Sequence, residues 1–262
     1  MALQTGDRYR ELLDVVRRLR APDGCAWDKK QTMTSLRGYV MEEAFEVVDA
    51  LDRGSPELLE EELGDLLMQV AMLSVLAEEK GWFGPDDVAE GIRDKLVRRH
   101  PHVFEAGHEE TDPAVIEARW EAIKAEEKAG RGALEGVPVA LPALTRAVKL
   151  GKKAGRVGYD WADAAGVREK VDEELRELDE ACDRESQEKE LGDVLFALAS
   201  WARHRKIDPE AALRGTLNRF TDRFEHVEAE VRAEGGSLDA LDAAELDARW
   251  EAAKRATGQG SE

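Results

Sequence analysis

The residues best equipped for chemistry in this sequence are carboxylates, and their spacing follows a pattern. Glu43 and Glu46 stand three apart, as do Glu62 and Asp65. Residues three apart on a helix project from nearly the same face. Gly54 lies midway: Glu46 is eight residues before it and Glu62 eight after, Glu43 eleven before and Asp65 eleven after. In an antiparallel helical hairpin, equal distances from the turn are equal heights. Glu46 should therefore face the level of Glu62, and Glu43 that of Asp65. On the second helix Leu58, Glu62, Asp65, Leu66, Gln69, Met72 and Leu76 fall on one stripe, so the acids interrupt an apolar seam. Four carboxylates converging there repel one another and resist desolvation, which a cation relieves. Hard oxygen ligands, with no histidine or thiol among them, suit Mg²⁺ or Mn²⁺. Glu60, Glu61, Glu78, Glu79 and Glu126 are expected at the surface, where most acids of Glu-rich helices are solvated.

The pattern occurs twice. Glu173-Glu174-Leu175-Arg176-Glu177 echoes Glu42-Glu43-Ala44-Phe45-Glu46 at an offset of 131, and Glu190-Leu191-Gly192-Asp193 echoes Glu62-Leu63-Gly64-Asp65 at 128. Trp161 follows Trp27 by 134, and Ala118 to Ala122 recurs unchanged at Ala248 to Ala252, 130 residues on. Glu177 with Glu190, and Glu174 with Asp193, share a midpoint between Asp183 and Arg184, so the symmetric pairing survives a turn three residues shorter. Four landmarks in one order at nearly one spacing mark a tandem duplication. The expected organisation is one repeat over 1–130, a linker rich in glycine and proline over 131–141, and a second repeat over 142–262.

The elements that must carry these acids are helices. Apolar residues recur at three and four, with no alternation that reads as a strand. Ser55-Pro56, Asp112-Pro113 and Asp208-Pro209 each set a capping side chain before a proline at the first helical position. Gly54, Gly81 and Gly130 stand where helices should stop. Helices are expected near 8–20, 35–52, 56–80, 86–100, 113–129, 142–154, 164–182, 187–206, 209–234 and 243–256. The fold class is all-α: two copies of a helical-bundle module.

Composition narrows the partners. Among 262 residues, 42% are hydrophobic and 36% charged, enough for a core beneath a heavily solvated surface. The formal net charge of −19 argues against clamping a nucleic-acid backbone or an anionic membrane. A small phosphate ligand remains compatible, because a bound metal and a few local cations outweigh a distant negative field. Cys25 and Cys182 have no metal-binding spacing and read as free thiols of a cytoplasmic protein.

Glu-Glu-x-x-Glu followed after a short gap by Glu-x-x-Asp resembles the MazG family of nucleoside triphosphate pyrophosphohydrolases. Arg98-Arg99-His100-Pro101-His102-Val103-Phe104 and Val157-Gly158-Tyr159-Asp160-Trp161 resemble further segments of its two-repeat members. The resemblance implies an all-α enzyme, usually a homodimer, that converts NTP and dNTP to monophosphate and pyrophosphate in cleaning the nucleotide pool. It implies that Glu174, Glu177, Glu190 and Asp193 bind Mg²⁺, and that Lys170, Arg219, Arg223, Trp250 and Lys254 contact the nucleotide. Arg219 and Arg223 are four apart and able to grip phosphate oxygens from one helix face; Trp250 and Lys254 set a stacking face beside a cation. In the first repeat Trp120 and Lys124 persist, but the arginine pair finds no clean counterpart, and Pro101 falls inside the matching helix. The second repeat is therefore expected to do the chemistry, with Glu43, Glu46, Glu62 and Asp65 as secondary metal ligands. The expected reaction is in-line attack of a metal-activated water on the α-phosphorus, with Glu173, Glu174 and Glu177 as the catalytic acids and Glu173 orienting or deprotonating the water. The competing reading is a non-enzymatic helical scaffold or nucleotide-binding protein with a structural metal; it predicts that nucleotides are not turned over.

Overall fold

A computed structural model of the chain describes residues 5–107, 110–127, 130 and 132–258. It divides into two compact units, Met1–Ala129 and Gly130–Glu262. Among the described residues no strand occurs. None of their helices is long and apolar enough to cross a membrane.

The first unit holds α1 (Thr5–Arg20), α2 (Leu36–Arg53), α3 (Pro56–Glu79), α4 (Pro85–Arg99), the single turn α5 (Pro101–Phe104) and α6 (Pro113–Glu126). The end of the helix expected over 113–129 lies outside the described residues. Ser55 accepts a hydrogen bond from the Leu58 N–H, with Pro56 at the first helical position of α3. Gly54, at φ 64°, closes α2 in the left-handed conformation that glycine adopts without a Cβ penalty. Helices α1 and α2 both pack on α3. Their core is Leu13, Val16, Leu36, Ala71, Met72, Val75 and Leu76, where full burial of a leucine or valine is worth roughly 1.5–3 kcal/mol. That core takes the second half of α3 and leaves the first half, with Glu62 and Asp65, facing α2 near solvent.

Two acids expected at the surface, Glu78 and Glu79, are exposed and also serve as anchors. Glu79 accepts both forks of Arg20 at 2.7 Å, and Glu78 accepts those of Arg17 at 3.1 Å. The Arg20 side chain is only 7% exposed and also donates to the Asp28 carbonyl, so it pins the end of α1 to the end of α3.

The second unit repeats the plan with α7 (Ala143–Gly155), α8 (Ala164–Glu180), α9 (Arg184–His204), α10 (Pro209–Ala233) and α11 (Ala243–Thr257). Helix α9 begins three residues earlier than the expected 187, because Asp183 caps it by accepting from the Ser186 N–H. Helices α7 and α8 pack on α9, and α11 packs on α10. The duplication leaves Val227, Val231 and Ala253 in a separate small core shared by α10 and α11. Of the stretch expected as a linker, residue 131 lies outside the described residues. Its remainder is tied to α7, where Lys153 donates to the carbonyl of Glu135 at 2.8 Å.

Candidate functional site

In the second unit the α8–α9 hairpin brings Glu174, Glu177 and Glu190 together, each with one oxygen within 4.8 Å of the others. Glu174 is buried, at 6% exposure. One oxygen of Glu190, Oε2, is buried without a hydrogen-bond partner. A desolvated carboxylate oxygen whose lone pairs meet no donor is costly unless a cation takes it. The donor set is all hard oxygen, as Mg²⁺ and Mn²⁺ prefer, so the residues fit a divalent ion.

Two lysines border the trio. Lys170, one turn before Glu174 on α8, lies 2.7 Å from that carboxylate and 3.0 Å from Glu173. Hydrogen bonds to Glu174 and then Glu173 push its pKa up, so it stays charged. Lys189 on α9 lies 2.7 Å from Glu190 and 3.6 Å from Asp193. Asp193, expected as a fourth ligand, is thus engaged by Lys189 and stands outside the trio. Glu173 pairs with Lys170 beside the trio, not within it.

The first unit makes a different trio from the same hairpin: Glu43, Glu62 and Asp65 within 4.8 Å. Glu46, the fourth expected ligand, is not part of it but approaches two of its members. Burial, then the charge of Asp65, then a hydrogen bond with Glu46, raise the pKa of Glu43; donation from Gln69 at 3.3 Å opposes this. Partial desolvation, then the charge of Glu46, raise that of Glu62. These couplings follow the expected levels, Glu43 opposite Asp65 and Glu46 opposite Glu62. Sequence position explains the contrast between the units. Where the second unit has Lys170 and Lys189, the same offsets of 131 and 128 place Tyr39 and Glu61 in the first.

The basic and aromatic candidates of the second unit lie on α10 and α11. Arg219 donates to Thr216 at 3.0 Å and Arg223 to Thr257 at 3.3 Å. Trp250 lies against Phe220, ring centroids 5.2 Å apart, and Lys254 donates to Glu251 at 2.6 Å. With Phe224, Val227 and Leu246, Phe220 and Trp250 line an apolar cavity of about 600 Å³.

The first unit does carry a counterpart to the arginine pair. Helices α4 and α10 both start at a proline, Pro85 and Pro209. Set in that register, Gly91 matches Gly215, His102 matches His226, and Lys95 and Arg99 match Arg219 and Arg223. Pro101 breaks the helix two residues beyond Arg99, after the basic positions and not through them. Arg99 and Lys124 flank the Trp120 ring, at 5.9 and 4.1 Å from its centroid. A charged pair four residues apart was visible in the sequence; the proline register that identifies it required the helix starts.

Both acidic hairpins lie in stretches of sequence shared with a known family. The model of the MazG nucleotide pyrophosphohydrolase domain matches residues 31–104 and again 164–228, once in each unit. The chain belongs to the MazG nucleotide pyrophosphohydrolase family. Among MazG relatives, the nucleoside triphosphate pyrophosphohydrolase/pyrophosphatase of Thermotoga maritima is 40% identical, over 96% of this chain and 97% of the relative. The nucleoside triphosphate pyrophosphohydrolase of Escherichia coli K12 is 42% identical over 93% of this chain and 96% of that protein. The uncharacterized YabN of Bacillus subtilis is 43% identical over 92% of this chain, which matches 50% of its length. Both family matches span an acid hairpin and most of the helix carrying the basic pair, and neither reaches Trp120 or Trp250.

Proposed function

We propose that this MazG-family enzyme hydrolyses nucleoside triphosphates, NTP and dNTP, to monophosphate and pyrophosphate, and that the second unit does the main work. The observation that carries the reading is the Glu174–Glu177–Glu190 trio with its unpartnered Glu190 Oε2. These three acids would hold Mg²⁺, with Asp193 joining if Lys189 releases it. The ion, when bound, supplies charge neutralisation on the phosphates and a more acidic water.

The chain's own groups supply the rest. Arg219 and Arg223 would grip phosphate oxygens, and Trp250 would stack on the nucleotide beside Lys254. Glu173 is held by Lys170 next to the trio, where it can take the proton of the water attacking the α-phosphorus. Attack forms the new bond to the α-phosphorus and breaks the bridge to the β-phosphate, so pyrophosphate leaves. Homodimer formation in the cytoplasm, in the service of cleaning the nucleotide pool, completes the reading. It draws support from apolar side chains left exposed on the acid-bearing helices, Leu63 and Leu67 on α3 and Leu191 and Leu195 on α9.

The test is to incubate the protein with each NTP and dNTP plus Mg²⁺ and quantify pyrophosphate and orthophosphate separately. Monophosphate with pyrophosphate is expected. Orthophosphate with diphosphate would overturn the bond assignment, and no product with either Mg²⁺ or Mn²⁺ would favour the scaffold.

A further inference from the structure

The basic and aromatic groups of the first unit differ from those of the second in one respect that bears on ligand binding. Just past the end of α6, Glu127 accepts from both guanidinium forks that reach it. Arg98 donates through Nε at 2.9 Å and Nη2 at 2.7 Å, and Arg99 donates through Nε at 3.2 Å and also through Nη2. Arg99 is largely buried, its side chain 11% exposed. Fork-on-carboxylate pairs of this kind are among the stronger polar contacts in proteins. The hydrogen bonds from Arg99 and then Arg98 hold the Glu127 carboxyl down at about 2, so it is charged at any physiological pH.

The second unit shows what stands there otherwise. The offset of 130 that relates Trp120 to Trp250 and Lys124 to Lys254 relates Glu127 to Thr257. Thr257 accepts from Arg223, the match of Arg99, at 3.3 Å. The contact is therefore kept between the units, but a charged acceptor replaces a neutral hydroxyl. Arg98 changes with it, since the proline register sets Asp222 at its place. A carboxylate and a phosphate compete for the same guanidinium geometry.

We propose that Lys95, Arg99, Trp120 and Lys124 form a second triphosphate-binding site in the first unit, which Glu127 keeps shut by occupying the guanidinium that a phosphate would take. The inference rests on the reading that the matching residues bind nucleotide in the second unit. Lys95, one turn before Arg99, meets the same phosphate chain, and Trp120 offers its ring between Arg99 and Lys124. The Glu43–Glu62–Asp65 trio of the same unit suits a ligand that arrives with a divalent ion.

The experiment titrates the full chain, in Mg²⁺, with a non-hydrolysable α,β-methylene triphosphate and reads the number bound per chain by calorimetry. Wild type should bind one, and Glu127→Thr two, with turnover of ordinary triphosphate by the second unit unchanged. Glu127→Gln, which keeps the shape and removes the charge, should also bind two and covers the case in which the threonine variant fails to fold. Adding Arg99→Ala to either variant should return the count to one. One bound in both Glu127 variants, two already in wild type, or a second molecule that survives Arg99→Ala would each overturn the proposal. A wild type that binds none would instead strike the second-unit reading. The Glu127 variants would then be judged on a step from none to one.

Discussion

The two acidic hairpins share a backbone plan and a carboxylate pattern but have different charged neighbours. In the second unit Lys170 and Lys189 lie against the acids, and Glu174, Glu177 and Glu190 converge beside them. In the first, Tyr39 and Glu61 take those places, and burial and mutual repulsion push the pKa of Glu43 and Glu62 up. The residue pattern of the acids is thus common to both hairpins; the neighbouring charges are what differ. Lys170 pairs with Glu173 and Glu174 on one side of the trio, and Lys189 with Glu190 and Asp193 on the other. Without lysines, the same hairpin gathers Asp65 in place of Glu46, the equivalent of Glu177. The phosphate-gripping helices show the same contrast, with Arg223 on a threonine and Arg99 on a glutamate.

The largest effect that could break this comparison is expected at Glu177. Glu177→Gln should lower pyrophosphate release by at least about 100-fold, since even outer-shell changes at metal sites cost about 10–100-fold. Glu46→Gln, its equivalent, should leave the rate unchanged, because the main work is assigned to the second unit. Equal losses would mean that both units work. Next in size is the basic pair. Arg223→Ala should raise KM by about 10–100-fold, the equivalent of roughly 1.5–3 kcal/mol for hydrogen bonds to a charged group. Arg99→Ala should leave KM where it is, because Glu127 already occupies that arginine. A matching rise in KM would sink the assignment of the main site to the second unit.

Stability sharpens the comparison further. Each unit fastens its first helix to its acid-bearing one by an arginine, with the charges exchanged between the elements: Arg20 from α1 to Glu79 on α3, and Arg203 on α9 to Asp160 just past α7. Arg20→Ala should cost about 1.5–3 kcal/mol in urea unfolding, because it removes charged hydrogen bonds from a nearly buried group. The smallest expected effect concerns acid. Hydrogen bonds from Arg203 and, against the opposing effect of burial, from His204 hold Asp160 at about 2, below its ordinary 3.8. The folded value is depressed, so this stabilisation is complete above pH 3.8 and is lost as pH falls toward 2. It should amount to about 1–2 kcal/mol, and Asp160→Asn should remove that part of the acid dependence. A urea midpoint that falls less between pH 5 and pH 2.5 in the variant than in wild type is the expected pair of curves.

Much of this was legible in the residues alone. The duplication, the all-helical class and several helix ends could be read because caps, prolines and glycines act locally: Ser55, Asp208 and Gly54 do in three dimensions what their types and positions imply. The convergence of three of the four acids in each unit was legible too, because distance from a turn becomes height in a hairpin whatever surrounds it. Less legible were the charged partners of those acids. Lys170 entered only by family resemblance, as a nucleotide contact, and Lys189 and Glu127 carried no signal. Salt bridges depend on which long side chains reach one another, and sequence spacing only permits such contacts. Glu78 and Glu79 show the same limit, since nothing local says that an exposed-looking acid will meet an arginine 61 or 59 residues away.

By itself, then, the sequence determined two helical hairpins with symmetric carboxylates and a family that splits nucleotide anhydrides, because periodicity, capping and motif are properties of short segments. Only the tertiary structure decided which three acids in each unit meet, which lysines border them, and that Arg99 faces a glutamate where Arg223 faces a threonine. Those outcomes depend on side chains brought together across helices, where a single charge at one position changes what the same backbone holds.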